Sequence, residues 1–163
     1  MNTIKSFLSD ERGSFISLFI IIFCLFMVVA VSQEYARLAD HRDEVESILQ
    51  RGVNSTLEDM LRDTMRWDYQ SVLTGNANTV RQRLDRYLRA EMNLQGGWPN
   101  YRRVASTGEV VWRLVFTDFI PGTATGNPFI QVRGSLFVGS ILTIIDTEYE
   151  FPFNVRSRNF RLD

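Results

Sequence analysis

The sequence predicts an α+β chain: one long amino-terminal helix, a short second helix and a carboxy-terminal antiparallel β-sheet head. Three observations predict it. Residues 14–31, SFISLFIIIFCLFMVVAV, carry no charge and are polar only at Ser14 and Ser17. From Val31 to Met65 apolar residues recur at helical spacing, with no Gly or Pro between the uncharged run and this stripe. From Tyr101 onward the apolar period changes from helical to alternating.

The chain opens on a short charged leader, residues 1–13, with Lys5, Asp10, Glu11 and Arg12 before Gly13. The uncharged run follows at once. Its length is about what one helix needs to cross a hydrocarbon layer of about 30 Å at about 1.5 Å per residue. Phe15, Leu18, Phe19, Ile22, Phe23, Phe26 and Val29 form the helix face assigned to membrane or assembly contact. Membrane lipid is therefore the first expected partner. The single cysteine, Cys24, lies inside the run, where a thiol keeps its proton and packs as a small apolar group. No intramolecular disulfide can form, so the remaining ~130 residues must build their core by packing alone.

Residues 32–73 continue the helix as an amphipathic one. Tyr35, Leu38, Val45, Ile48, Leu49, Val53, Leu57, Met60, Leu61 and Met65 mark one side, and Glu34, Arg37, Asp40, Arg42, Asp43, Glu44, Glu46, Arg51, Glu58 and Asp59 fill the gaps. Gly52-Val53-Asn54 is the weak point. Ser55-Thr56-Leu57-Glu58 has the form of a capping box, with Ser55 as N-cap, so a kink or break is expected near residues 52–55, with helix resuming to about Val72. Asn54-Ser55-Thr56 is also a glycosylation sequon, for which capping is the preferred reading.

The exterior head is assigned to residues 77–163. Thr74–Asn78 reads as a loop, Asn78 as the cap of a helix over 79–92 with Val80, Leu84, Tyr87 and Leu88 on its apolar face. Arg81, Arg83, Arg86 and Arg89 lie off that face. A solvated surface paired locally to Asp85 and Glu91 accounts for them better than nucleic acid does, because the formal net charge is -1 and the pI about 5.9. The run Gln95–Asn100 should end the helical half. Strands are expected from 101 onward: a hairpin of Tyr101–Ala105 and Glu109–Phe119, a turn-rich loop over Pro121–Pro128, then Phe129–Val138, Leu142–Pro152 and Phe153–Arg161, the last two as separate strands or one bent strand, with Pro152 marking an edge or bulge.

No catalytic site, cofactor site or metal site is assigned. The one histidine, His41, has no Cys or His nearby in sequence, and no phosphate-binding, dinucleotide-binding or nucleophile-elbow motif occurs. Asp146, Glu148 and Glu150 share one strand face. They invite a calcium reading, but no Gly-bearing calcium loop accompanies them, and a solvated face is expected.

The amino-terminal segment admits three readings. In a cleaved signal peptide, Lys5 and Arg12 would be the charged region, Phe15–Val29 the apolar core and Ala30-Val31-Ser32 the cleavage site. In a plain single-pass anchor nothing is removed. In the third reading the leader is cut after Gly13, the chain begins at Ser14, and the whole apolar helix is retained. The amphipathic continuation favours the third, because a discarded signal peptide gains nothing from it.

The leader end Asp10-Glu11-Arg12-Gly13, the run through Val31 and the continuation Glu34-Tyr35-Ala36-Arg37-Leu38 resemble the TadE-like and TadG-like pseudopilins of Tad (Flp-type) pili, relatives of type IV pilins. The tail is also similar to that group in Gly134–Val138 and Phe151–Arg158. The resemblance implies a bacterial pilus or secretion-machine subunit that is not an enzyme. It implies cleavage between Gly13 and Ser14 by a prepilin peptidase, a single-pass membrane state with the head outside, and other pilin-like subunits and an assembly platform as partners. Members usually carry Glu at the fifth mature position, where this sequence has Leu18. That departure points to a minor, tip or priming subunit, or to an uncleaved anchor.

Overall fold

The computed structural model describes residues 11–64, 77–124, 127–140 and 147–157. Its order is helix α1 (Glu11–Thr64), helix α2 (Ala77–Met92) and strands β1 (Leu94–Gly97), β2 (Asn100–Val104), β3 (Val110–Ala124), β4 (Asn127–Gly139) and β5 (Glu148–Arg156). The α+β architecture is the expected one. The leader residues 1–10 and the expected helix beyond Thr64 lie outside the described residues. Internal contacts divide the chain into two units, one ending at Ala39 and one beginning at Asp40.

In the second unit the five strands form one antiparallel meander, β1-β2-β3-β4-β5. Alternation places one side chain in two on the helix-facing side. Trp112 pairs with Val138 and Leu114 with Leu136, and beyond a register shift at Phe116–Asp118, Phe119 pairs with Val132. On the far side Leu136 pairs with Phe151 and Val132 with Val155. The helices supply the opposing layer: Val45, Ile48, Leu49, Val53, Leu57 and Met60 from α1, and Val80, Leu84, Leu88 and Met92 from α2, all buried with Trp112, Leu114, Ile130 and Leu136.

Several expectations are corrected. The helix does not break at 52–55; α1 is continuous from Glu11 to Thr64. A Cβ on Gly52 would stand 2.9 Å from Cδ1 of Tyr87 and 3.3 Å from Cδ1 of Leu84. Gly52 is there to let α2 cross close to α1, and its helix-propensity cost of about 1 kcal/mol is offset by that contact. Ser55 is therefore a mid-helix residue, not an N-cap, and its neighbour Thr56 is buried.

The second helix starts at Ala77, one residue before the expected cap Asn78, whose side chain instead accepts from Arg81 Nη2 at 3.1 Å. The sheet begins at Leu94, not at 101. The glycines that read as a loop make the first hairpin: Gly96 has φ of 94°, and a Cβ there would meet the Asn100 carbonyl at 2.6 Å.

Pro121 and Pro128 lie in strands rather than a loop, pairing with Ile130 and Thr123. The β2 ladder ends at Val115, and the β5 ladder reaches Gln131. Beyond those points β3 and β4 form a two-stranded ribbon, where a missing N–H faces no neighbouring strand. The last strand is single, Glu148–Arg156, and carries Pro152 on the sheet edge, as the edge expectation required. Leu142–Asp146 and Arg158–Arg161 lie outside the described residues.

Candidate functional site: the uncovered apolar helix

The feature that needs a function is the amino-terminal length of α1. Its backbone bonds are satisfied inside the helix, the condition a segment must meet to enter hydrocarbon. Among the described residues its large apolar side chains are exposed. Large apolar residues from Phe15 to Val31 range in exposure from 40% (Met27) to 72% (Phe15), and no residue of the apolar window is buried. Exposed apolar surface on that scale marks a contact with lipid or with other chains. This is one helix, near the amino terminus, long and apolar enough to cross a membrane.

All seven residues assigned to the assembly face are placed on this helix, and Phe15, Leu18, Phe19, Ile22, Phe23, Phe26 and Val29 are all exposed. The structure does not single them out, because Ile16, Ile20, Ile21, Leu25 and Val28 on other sides are equally uncovered. The helix is apolar all round. Gly13 and Ser14 lie in helical backbone two and three residues after its start. Cys24 is a free, exposed thiol.

The run ends in a defined way. Ser32 Oγ donates back to the Val28 carbonyl at 2.7 Å, which keeps the hydroxyl satisfied in an apolar setting. One turn later Arg37 makes a two-pronged contact with Glu34, Nε at 3.2 Å and Nη2 at 3.0 Å. The Glu34–Arg37 spacing was readable from sequence as an i,i+3 pair.

The head is held to its second helix by a polar network, in which the expected local Arg89–Asp85 pair forms and the contact that sequence reasoning missed is Tyr101. Arg89 Nε donates to Asp85 Oδ2 at 2.9 Å, and the Tyr101 hydroxyl donates to the other oxygen, Oδ1. Burial, and then the Asp85 carboxylate, push the Tyr101 phenol well above its ordinary value, so it stays protonated. Arg81 and Arg89 also stand over the rings of Trp98 and Tyr101, at 5.8 and 5.9 Å. No spacing in the sequence relates residue 85 to residue 101. The pair exists because the β1–β2 hairpin folds back under α2.

The acidic strand face is occupied by local partners. Arg113 reaches Glu148 across β4 with its guanidinium over Phe137, and Ser135 Oγ donates to Glu150 at 2.7 Å; Asp146 lies outside the described residues. His41 Nδ1 stands 3.7 Å from Glu44. Among the described residues no group of three or more His, Cys, Asp or Glu side chains could hold a metal ion. No family model, curated protein or solved structure matches this chain.

Proposed function

We propose that this chain is a minor pilin-like structural subunit, TadE-like or TadG-like, of a pilus or a related secretion machine. The single observation that carries the reading is that the uncovered apolar run and the stripe buried in the head belong to one uninterrupted helix. A subunit that waits in lipid and then enters a filament needs a helix end that is apolar on every side, followed by a length of the same helix committed to its own head. In this reading prepilin peptidase cuts between Gly13 and Ser14, Phe15–Val31 holds the mature chain in the membrane, and the head lies outside the cytoplasm. Neighbouring pilin-like subunits and an assembly platform then replace lipid around Phe15, Leu18, Phe19, Ile22, Phe23, Phe26 and Val29. The chain does no catalysis of its own.

The test is the intact mass and amino-terminal sequence of the protein from its native host. A chain starting at Ser14 is the expected result. An intact Met1 leader in cells with active prepilin peptidase would overturn the reading.

Leu18 favours a second reading, a single-pass anchor that keeps its leader and presents the head as a binding or scaffolding module. Full-length protein in the membrane fraction selects it. A chain starting at Gln33 in the medium would select a secreted domain instead of either.

A further inference from the structure

The edges of the sheet differ in length. At one side β1 has 4 residues, too few to template a long ladder. At the other side β5 has 9. A further edge opens along β3, because the β2 ladder ends at Val115 while β3 runs on to Ala124.

Hydrogen bonds fix which backbone groups face outward. At the two ends of the β4–β5 ladder the Ser157 N–H donates to the Ile130 carbonyl at 2.8 Å, and the Ser140 N–H to the Thr147 carbonyl at 3.1 Å. Bonded and unbonded pairs alternate along an antiparallel ladder. The unshifted register between those ends turns the backbone groups of Glu148, Glu150, Asn154 and Arg156 away from β4. Pro152, opposite Ser135, is the middle position of that outward set.

The open length of β3 repeats the pattern. Ile130 commits both backbone groups to Ser157, since its N–H donates to Ser157 Oγ at 3.0 Å. Its β3 partner Pro121 is therefore unbonded to β4, and Phe119, Pro121 and Thr123 face the open edge. Again the proline is in the middle.

We propose that Pro121 and Pro152 are edge guards, which keep a second copy of the chain from joining the sheet as a further strand. An unpaired edge is a template for strand addition, and proline withholds the N–H that a new strand would need. Pro152 interrupts the outward row of β5 between Glu150 and Asn154, so any strand paired across its middle loses a bond whatever the register. Pro121 leaves Phe119 and Thr123 as isolated positions. In a common membrane copies of the chain meet at raised effective concentration, where an open edge is most exposed to pairing. Contacts between heads then fall to side chains rather than backbone. The guards do not depend on the pilin-like reading.

The experiment uses the full chain in detergent, with association read by sedimentation and folding by thermal melting. Pro152→Val restores an outward N–H and should raise dimer formation at least about fivefold over the parent, because each copy regains a backbone bond. Pro121→Val should act in the same direction. Ser135→Val adds an apolar side chain opposite Pro152 without changing any edge N–H, and should leave association at the parent level. In the Pro152→Val dimer the amide hydrogens of Glu150 and Asn154 should exchange more slowly than in the parent.

If valine unfolds the head, Pro152→Ala restores the same N–H and takes its place. Folded proline variants that associate no more than the parent overturn the proposal. So does an equal gain from Ser135→Val, or a gain that leaves the Glu150 and Asn154 amides unprotected, since the contact would then be made by side chains.

Discussion

The two lengths of α1 have the same backbone and opposite environments. From Phe15 to Val31 every large apolar side chain is at least 40% exposed; from Val45 to Met60 the apolar residues Val45, Ile48, Leu49, Val53, Leu57 and Met60 are at most 8% exposed. The difference lies in distribution, not in how apolar the residues are. A stripe with polar residues between its members fits one neighbour, and the head's own sheet and α2 supply it. A helix apolar on all sides cannot be satisfied by one neighbour. It needs a surround, and lipid or a ring of other helices are the surrounds available to it. The charge pair Glu34–Arg37 lies between the two regimes.

The largest expected effects separate these regimes directly. Leu49 is fully buried, and Leu49→Ala should cost the head about 2–5 kcal/mol through lost contacts and the cavity left behind. Thermal unfolding of the detergent-solubilised chain should show the loss, with the membrane fraction unchanged. Ile22→Arg should do the reverse. A charge near the middle of the span costs about 2.5–3.5 kcal/mol of insertion, so fractionation should show the chain leaving the membrane while the head melts as before. A drop in head stability from Ile22→Arg would break the comparison.

Gly52 gives the next test, because it is where the stripe meets α2. In an exposed helix Gly→Ala stabilises by about 0.5–1 kcal/mol. Here the added side chain runs into Tyr87 and Leu84, so Gly52→Leu should destabilise by about 1–3 kcal/mol through overpacking. Combined with Tyr87→Ala, a Gly52→Ala change should recover the ordinary helix gain relative to Tyr87→Ala alone. If Gly52→Ala stabilises the parent as much as it does in that background, the close approach is not what holds Gly52 in place.

These residues also show how far the sequence could be read. The α+β order, the long helix and the uncovered run were legible, because they follow from period and charge alone. Gly52 was misread because a glycine in a helical pattern has two causes, a break or a close neighbour, and only the position of Tyr87 decides between them. The Gln95–Asn100 run was misread for a similar reason: Gly96 and Gly97 look like a loop, yet Gly97 pairs with Asn100 as the closing pair of a hairpin. Pro121 and Pro128 stayed hidden as strand residues, since their tolerance depends on β3 and β4 outrunning the adjacent strands. On the candidate site, the sequence located the apolar helix but not its lack of a preferred face, which only the exposures reveal.

Tyr101→Phe tests the polar contact that ties α2 to the sheet inside the head. It removes the hydroxyl that donates to Asp85, and a hydrogen bond to a charged group is worth about 1.5–3 kcal/mol. The pH dependence has a definite sign. The folded phenol sits above the unfolded value of 10.0, so the unfolded chain loses its proton first. The stabilisation is complete below about pH 10 and falls as pH rises from there toward the folded value. Urea unfolding of the parent should weaken through that alkaline window, and the Phe variant, weaker at neutral pH, should show a flatter decline. An unchanged decline would assign the alkaline loss to other groups.

The smallest effect belongs to the sheet's outer face. Arg113 reaches Glu148 with Nε at 3.2 Å while its guanidinium lies 5.2 Å from the centre of the Phe137 ring. Both charged side chains are about half exposed, 47% and 50%. Solvent and salt screen such a pair, and side-chain ordering offsets much of the remaining attraction, so Arg113→Ala should cost less than about 1 kcal/mol. The part lost as ring contact should survive in high salt, whereas the ionic part should not. Denaturant titrations of Arg113→Ala and Glu148→Gln at low and high salt resolve the two, with the glutamine variant converging on the parent as salt rises and the alanine variant keeping a residual deficit. A cost of several kcal/mol from either change would mean that this face is covered rather than solvated, and the head would then have a second buried side.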